Sequence, residues 1–312
     1  MILSVSRRTD IPAFYGDWFY QRIREGFVEV RNPVNQRQIS RIILSPEVVE
    51  CIVFWTKNPS QRFMEKLRLL DTLGYLYYFQ FTLTAYDALI ERTVPDKKLV
   101  LQTFRELSEK IGKEKVIWRY DPIFISERYT IAQHVRSFEY LASELSGYTD
   151  TCIISFIDMY RHIGNQLAAE NIRELSADQM NEIGRSFSVL AEKYNFKLET
   201  CCESIDLDRF GIEHGHCIDG RLINRLTGRQ FLFKKDKTQR KECGCCTSID
   251  IGAYNTCLHN CIYCYANRGA CSVEKNSNCN PASPLLCSEL QSSDKLTDRN
   301  MTCCESAAPE LF

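Results

Sequence analysis

The alternation of short apolar runs with longer helical segments is the feature that most limits the fold of this chain. Runs rich in β-branched and aromatic residues alternate with segments of helical periodicity, which is typical of parallel β/α units. The predicted strands are residues 2–5, 51–55, 76–83, 115–120, 152–157, 196–201 and 248–254. The predicted helices are residues 16–25, 61–73, 98–111, 131–145 and 177–194.

This pattern predicts an α/β fold built as a full or partial parallel β/α barrel, similar to a TIM barrel. A chain of 312 residues with 44% hydrophobic content can bury one large core. The alternative is a flat doubly wound sheet. No glycine-rich dinucleotide fingerprint or phosphate loop follows any predicted strand, which counts against a nucleotide-binding doubly wound fold.

Three cysteines near the C-terminus, Cys257, Cys261 and Cys264, follow a C-x3-C-x2-C pattern, with Tyr263 directly before the last. Thiolates are soft ligands that select iron–sulfur clusters or zinc. Zinc sites usually combine C-x2-C pairs with a fourth Cys or His. The spacing therefore favours three corners of a four-iron cluster with one iron open, and zinc is the alternative because His259 lies in the same loop.

A predicted strand over residues 248–254 leads directly into this cysteine loop, which opens at Asn255 and Thr256. It is the last strand in the chain. Because the first and last strands of a barrel are neighbours, we expect it to pair beside residues 2–5.

Composition limits the setting of the protein. The chain has 16 cysteines and a formal net charge of -1 at pH 7, so no general electrostatic attraction draws it to nucleic acid. Arg7, Arg8 and Asp10 interrupt the first apolar run too early for a secretory signal, and no stretch approaches the roughly 20 apolar residues of a membrane span. We therefore expect a cytoplasmic protein with no membrane partner, whose cysteines serve metal or redox chemistry.

Polar residues follow most predicted strands, where a β/α barrel places its active site. The basic ones are expected to clamp a carboxylate or phosphate. The acidic ones are expected to hold ribose hydroxyls or a substrate ammonium group. The candidate catalytic residues are Arg7, Asp10, Lys57, Arg119, Asp121 and Glu203.

A second group of cysteines precedes the triplet. Four thiols drawn from three segments could close a site with no open position, as a second iron–sulfur cluster or a structural zinc. Reduced, unligated thiols are the alternative. The predicted ligands are Cys202, Cys217, Cys243 and Cys245, with Cys201 and Cys246 in reserve.

The predicted organisation is one barrel-type domain over residues 1–267, in which 201–247 is a Cys-rich insertion before the cluster strand, followed by a polar tail over 268–312. Residues 283–286 are expected to pack over one end of the barrel. The unequal spacing of the tail cysteines indicates free thiols rather than ligands. These cysteines are Cys271, Cys279, Cys287, Cys303 and Cys304.

Three runs of the sequence resemble an uncharacterised bacterial family built on a domain of unknown function. They are Ser-Arg-Arg-Thr-Asp-Ile-Pro near the N-terminus, the internal Phe-Trp-Thr-Lys-Asn-Pro, and residues 234–267. The likeness covers nearly the whole chain. The Cys-Tyr-Ala ending of the triplet also resembles the spore photoproduct lyase-like members of the radical S-adenosylmethionine (radical SAM) superfamily, whose type member reverses a thymine lesion in DNA.

The radical SAM resemblance implies that Cys257, Cys261 and Cys264 bind a [4Fe-4S] cluster. It implies that S-adenosylmethionine binds the open iron and is cleaved to a 5′-deoxyadenosyl radical, with electrons from an external donor. Tyr263 is then expected to pack beside the cluster, where it influences the local dielectric and the cluster's reduction potential. The late position of the cluster strand implies a circular permutation. The chain departs from the superfamily by having no Gly-Gly-Glu, the element that in many members holds the methionine amino group.

Two other functions stay open from the sequence. One is a non-catalytic iron–sulfur protein for electron transfer or redox sensing, and the other is a zinc-stabilised nucleic-acid-binding protein. The sequence does not specify a substrate, so nucleic acid, peptide and small metabolite all stay open.

Overall fold

The computed structural model describes residues 1–268 and 279–300. Its strands are β1 (Ile2–Val5), β2 (Phe27–Arg31), β3 (Gln38–Ile43), β4 (Cys51–Thr56), β5 (Tyr77–Thr82), β6 (Val116–Ile123), β7 (Thr151–Phe156), β8 (Lys197–Thr200), β9 (Glu213–His214), β10 (Ser248–Asp250) and β11 (Lys295–Asp298). Its α-helices are α1 (Ile11–Phe14), α2 (Gly16–Glu25), α3 (Gln61–Glu65), α4 (Leu67–Thr72), α5 (Lys97–Ile111), α6 (Ile131–Leu145), α7 (Gly164–Ala169), α8 (Ala177–Tyr194) and α9 (Gly220–Thr227).

Eight strands form one parallel sheet in the order β10-β1-β4-β5-β6-β7-β8-β9. This confirms the predicted α/β class with a parallel sheet. In the described residues β10 and β9 form the two edges and do not pair with each other. The strand order therefore fits an open α/β sheet or a partial barrel rather than a closed one.

The last strand of this sheet pairs where the sequence predicts. β10 lies parallel to β1, with Ile2 opposite Ser248 and Ser4 opposite Asp250. The strand itself ends at Asp250 instead of residue 254, because the chain turns there and the Gly252 N–H bonds to the Asp250 carboxylate at 3.0 Å.

The sheet separates two layers of side chains. Leu3, Phe54 and Phe79 belong to the larger core, which is shared with the long helices. Val53 and Tyr78 point the opposite way and belong to a smaller core that includes residues 217–246 and α9. We call this second side the insertion face, because the predicted Cys-rich insertion packs on it.

The helices follow their sequence signals closely. α2, α6 and α8 have the predicted bounds, and a capping box between Ser176 and Gln179 starts α8. The predicted helix over residues 61–73 is wrong in its continuity. It divides at Lys66, whose N–H bonds to the carbonyl of Phe63 at 3.2 Å. This bond spans three residues, as in a 3-10 turn, instead of the four of an α-helix.

A second sheet of three strands, ordered β11-β3-β2, was not predicted. Strand β11 of this sheet comes from the predicted tail. The same part of the chain meets α2, where the Trp18 indole donates to the Ser283 carbonyl at 2.9 Å and Leu286 is buried in the main core.

The expectation of free tail thiols is wrong for Cys279 and Cys287, which form a disulfide. The turn between them places these cysteines side by side, with the Ser283 N–H bonded to the Asn280 carbonyl at 3.0 Å. The predictions for Cys271, Cys303 and Cys304 lie outside the described residues. Across residues 1–268 and 279–300, none of the helices has the length and apolar character needed to cross a membrane.

Candidate functional site

The cysteine loop begins directly after β10, at the carboxyl edge of the parallel sheet. Two asparagines, Asn255 and Asn260, take the left-handed conformation with φ of 61° and 50°, which asparagine tolerates better than most residues. The Asn255 N–H bonds to the Ala266 carbonyl at 2.9 Å, so the loop closes on itself. The Ile262 N–H bonds to the Ile90 carbonyl at 3.0 Å, which attaches the loop to the segment after β5.

Of the three thiols of the loop, Cys261 is buried, and Cys257 and Cys264 are half-buried. The backbone N–H of His259 interacts with the Cys257 thiol and that of Ala266 with the Cys264 thiol, while the Asn267 N–H bonds to the Cys264 backbone carbonyl at 3.4 Å. Burial raises the pKa of all three thiols, and each bonded N–H lowers it in part by favouring the thiolate.

The same thiols influence one another electrostatically. Cys264 and Cys261 both raise the pKa of Cys257, while burial raises that of Cys261 to about 12, against a lowering effect of the Lys57 ammonium group. In the described residues, neither this triplet nor any other set of three or more His, Cys, Asp or Glu side chains lies in metal-binding geometry. The three thiols share one loop, but they do not surround a common point.

Asp10 holds the loop to the start of the chain. Its carboxylate oxygen Oδ2 accepts hydrogen bonds from Thr56 Oγ1 at 3.0 Å, from the Lys57 N–H at 2.7 Å and from His259 Nε2 at 2.8 Å. Its other oxygen caps α1 by accepting from the Ala13 N–H at 2.9 Å. This side chain, predicted as a ligand contact, is thus engaged by three segments of the protein itself.

Lys57 and Tyr263 meet at a carboxylate that the sequence analysis missed. The Lys57 ammonium bonds to Glu91 Oε1 and to the Tyr263 hydroxyl, both at 2.8 Å. Lys97 and the Tyr263 hydroxyl also contact Glu91, and Thr84 donates to it at 2.8 Å. Despite burial, the two ammonium groups hold the pKa of Glu91 well below its usual value. Lys57 is therefore already paired, which counts against its predicted role as an anion clamp.

Two arginines pack against Trp55 on the insertion face. The guanidinium groups of Arg7 and Arg119 lie 5.4 and 5.3 Å from the centroid of the indole ring. The indole N–H donates to Ser4 Oγ at 3.1 Å. Such cation–π contacts orient both guanidinium groups toward the insertion face.

Arg119 and Asp121 form a pair, and Glu203 lies near it. Arg119 Nε donates to Asp121 Oδ2 at 3.0 Å, and the Ser155 hydroxyl contacts the other Asp121 oxygen. Glu203 accepts from the Phe156 N–H at 2.8 Å, and burial, assisted by the Asp121 charge, raises its pKa to about 7. The structure thus brings these three predicted residues into one region, where Glu203 has the pKa of a proton donor or acceptor at neutral pH.

Asp250 is another residue that the sequence analysis missed. It accepts from the hydroxyls of Ser4 and Ser6 at 2.7 Å and from the Arg7 N–H at 2.8 Å. These bonds fix the chain after β1 against β10. The predicted strand covers residues 248–254, so Asp250 lay inside it and gave no signal, whereas the observed strand ends at this residue.

The second cysteine group comes together around Cys217. Cys201 Sγ lies 2.8 Å from Cys217 Sγ, and Cys245 hydrogen-bonds with both Cys217 and Cys243. Cys202, a predicted ligand, does not join these contacts in the described residues. It has a left-handed φ of 58° and lies near Arg240 instead.

Of the two reserve residues, Cys201 thus takes the place predicted for Cys202. Cys246 is buried, and its N–H bonds to the Ile218 carbonyl at 3.0 Å. The basic stretch over 234–241 is largely exposed, as a solvated surface would be.

Several buried polar atoms at the carboxyl edge of β1, β4 and the cysteine loop have no hydrogen-bond partner in the described residues. Most buried polar groups in folded proteins are paired, so a concentration of unpaired atoms marks a place where a ligand can bind. The atoms are Arg7 Nη2, Thr9 Oγ1, Asn58 Oδ1, His259 Nδ1 and Asn267 Oδ1.

Comparison with known proteins gives one extended match. The family described as "Domain of unknown function (DUF1848)" matches residues 2–266. No curated protein matches the chain. A crystal structure from Bacteroides thetaiotaomicron with an alpha-L-fucosidase designation is similar at 14% identity and a TM-score of 0.26, covering 53% of this chain and 68% of that one. At that TM-score the likeness carries no argument about fold or function.

Proposed function

We propose that this chain, which belongs to the family described as a domain of unknown function (DUF1848), is an iron–sulfur enzyme of the radical SAM type. The proposal rests on the chain's own residues. In this proposal Cys257, Cys261 and Cys264 bind a [4Fe-4S] cluster. The bound cluster would deliver an electron to S-adenosylmethionine and release a 5′-deoxyadenosyl radical. The observation that carries the proposal is the location of three neighbouring thiols in one loop at the carboxyl edge of a parallel sheet, where α/β proteins place their active sites.

The surroundings of the thiols support cluster binding. Hydrogen bonds to the sulfur atoms are one of the means by which proteins hold such clusters and set their potential. The N–H groups of His259 and Ala266 interact with two of the three thiols. The Lys57 ammonium near Cys261 adds positive charge that favours the thiolate.

Unpaired polar atoms beside the loop support the binding of a small polar cofactor. S-adenosylmethionine carries a carboxylate, an ammonium group and ribose hydroxyls, each of which needs a partner when it is buried. Thr9 Oγ1 is an unpaired hydroxyl that can donate to a carboxylate. Asn58 Oδ1 and Asn267 Oδ1 are free acceptors for an ammonium group or a hydroxyl.

The strand order supports a circularly permuted arrangement. In the radical SAM superfamily the cluster strand begins the barrel, whereas here β10 comes late in the chain. Because β10 pairs in parallel with β1, it lies where the first strand of an unpermuted chain would be. The proposal also requires an external electron donor, and we place the protein in the reducing cytoplasm, where the Cys279–Cys287 bridge would be uncommon.

The test is the cleavage of S-adenosylmethionine. The anaerobically purified protein is incubated with dithionite and S-adenosylmethionine, and 5′-deoxyadenosine is measured by liquid chromatography and mass spectrometry. We expect the product with the unmodified chain and none with a Cys257→Ala, Cys261→Ala and Cys264→Ala triple variant. Cys51→Ala, which removes a core cysteine from β4, is the matched control and should keep the activity.

Two results would contradict the proposal. A chain that holds four irons but forms no 5′-deoxyadenosine would be an electron-transfer or sensing protein. A chain that binds zinc at the triplet and no iron would not be an iron–sulfur enzyme.

A further inference from the structure

The second cysteine group joins three separate parts of the chain on the insertion face. Cys201 directly follows β8, Cys217 precedes α9, and Cys243 and Cys245 precede β10. Cys201 Sγ lies 2.8 Å from Cys217 Sγ, and Cys245 interacts with both Cys217 and Cys243. As in the triplet, the thiols of the described residues are neighbours that do not surround a common point. The last three of these side chains are buried.

We propose that Cys201, Cys217, Cys243 and Cys245 bind a single zinc ion as a closed four-thiolate site. The site is separate from the Cys257 loop and does not depend on the function proposed for that loop. It has no open position for a substrate, so its role is structural.

The short distance between the Cys201 and Cys217 sulfur atoms favours one ion over a cluster. Four thiolates at about 2.3 Å from a tetrahedral zinc lie about 3.8 Å apart. Cys201 and Cys217, at 2.8 Å, would need to separate by only about 1 Å to reach that geometry. A four-iron cluster would have to place its whole iron–sulfide core between the same sulfur atoms, which requires a much larger expansion of a buried region.

The charges around the group also fit a bound dication. Four thiolates and Zn²⁺ carry a net charge of −2, which is costly to bury without a counter-charge. Arg119 Nη1 donates to Cys217 Sγ at 2.7 Å, although Arg119 also pairs with Asp121. The Arg7 guanidinium interacts with both Cys217 and Cys245, and the Ile218 N–H donates to Cys245 Sγ at 3.4 Å.

A zinc ion here would fix the strand that carries the other cysteine loop. Cys245 lies three residues before Ser248, where β10 begins, while Cys201 continues from β8 near the opposite edge of the sheet. One ion would therefore connect the chain next to β8 with the chain next to β10, near the two opposite edges of the sheet, across the insertion face.

The first test uses the Cys257→Ala, Cys261→Ala and Cys264→Ala triple variant, so that the loop cannot contribute metal. We expect one zinc per chain by elemental analysis. Adding Cys217→Ser should lower the zinc content at least tenfold, whereas adding Cys202→Ser should leave it unchanged, because Cys202 lies beside the group without joining it.

A second measurement does not depend on whether the serine variant folds. The triple variant, with all four proposed ligands intact, is stripped of metal and titrated with Co²⁺. We expect the absorption of a tetrahedral thiolate site at one equivalent, and peptide mapping after alkylation should show Cys201, Cys217, Cys243 and Cys245 protected by metal and Cys202 labelled.

Three results would overturn the proposal. Iron and sulfide in the triple variant would indicate a second cluster, and loss of zinc in Cys202→Ser would show the wrong ligand set. A Cys201–Cys217 disulfide that persists when zinc is supplied under reducing conditions would indicate a redox pair. Absence of iron from the unmodified chain would contradict only the enzyme proposal, so the two failures are distinguishable.

Discussion

Replacing Glu91 with glutamine should weaken the attachment of the cysteine loop more than any surface substitution. The Glu91 side chain is 1% exposed, and its partners Lys57 and Lys97 are 15% and 27% exposed. Removing one partner of a buried ion pair costs about 3–5 kcal/mol, because the other charge is left unpaired. Glutamine keeps the shape and can still accept from Thr84, so we expect the Glu91→Gln variant to lose about 3 kcal/mol of unfolding free energy.

The assay is urea unfolding at pH 7, with Glu139→Gln as the matched control. Glu139 pairs with Lys193 at 2.7 Å, but the two side chains are 43% and 55% exposed, so that variant should lose less than about 1 kcal/mol. Alkylation of Cys261 should also become faster in Glu91→Gln, because Lys57 and Lys97 lose the carboxylate charge that pairs them beside the loop. Equal losses of unfolding free energy in the two variants would refute the stabilising role of the buried Glu91 ion pairs.

The same pair of variants gives a pH dependence with a defined sign. The pKa of Glu91 is lowered in the folded protein, so its contribution is fully present above the unfolded value of about 4.3 and is lost as the pH falls through the folded value. The stability difference between the unmodified chain and Glu91→Gln should therefore be constant from pH 7 to about pH 5 and shrink below that. A difference that stays constant down to pH 3 would contradict the lowered pKa.

Three further predictions concern other parts of the fold. Asp10→Asn should lower the free energy of unfolding by about 2 kcal/mol, because its Oδ2 accepts from three donors, and a loss no larger than that of Glu139→Gln would contradict this. Burial lowers the pKa of His134 from 6.5 to about 4, so its neutral form contributes stability above pH 6.5 that is lost on acidification. The difference in unfolding free energy between the unmodified chain and His134→Gln should therefore shrink between pH 6.5 and 4. Calorimetry that shows an unchanged difference would refute this. Ser176→Ala removes the capping box of α8 and should cost about 1 kcal/mol in urea unfolding, while a neutral result would show that the cap is dispensable.

The fold of the main sheet could be predicted because local pattern and tertiary role agree there. The apolar residues of the strand Ile2–Val5 and of the helices α2, α6 and α8 follow the pattern expected for a buried strand or an amphipathic helix. The bounds of these four elements were predicted correctly. The pairing of β10 with β1 followed from the neighbour rule for parallel β/α units.

The second sheet shows what such patterns cannot provide. β2 and β3 are partly exposed and lie outside the main sheet, and β11 reaches β3 from more than 250 residues away in the sequence. No local signal specifies that pairing, because it depends on how the chain after residue 279 packs against α2.

The candidate site was predictable in its thiols and less so in its supporting residues. The spacing of Cys257, Cys261 and Cys264 predicts a ligand loop by itself. Glu91 gave no signal, because it lies in a loop with no motif and becomes significant only when Lys57 and the cysteine loop meet it. Likewise, only the direction of the chain after β8 decides that Cys201 rather than Cys202 faces Cys217.

The most direct test of the central claim is electron paramagnetic resonance of the anaerobically reduced protein, recorded with and without S-adenosylmethionine. The account predicts a [4Fe-4S] signal that shifts when S-adenosylmethionine is added and that disappears in the Cys257→Ala, Cys261→Ala and Cys264→Ala variant. A signal that S-adenosylmethionine leaves unchanged, or that persists without those three cysteines, would contradict it.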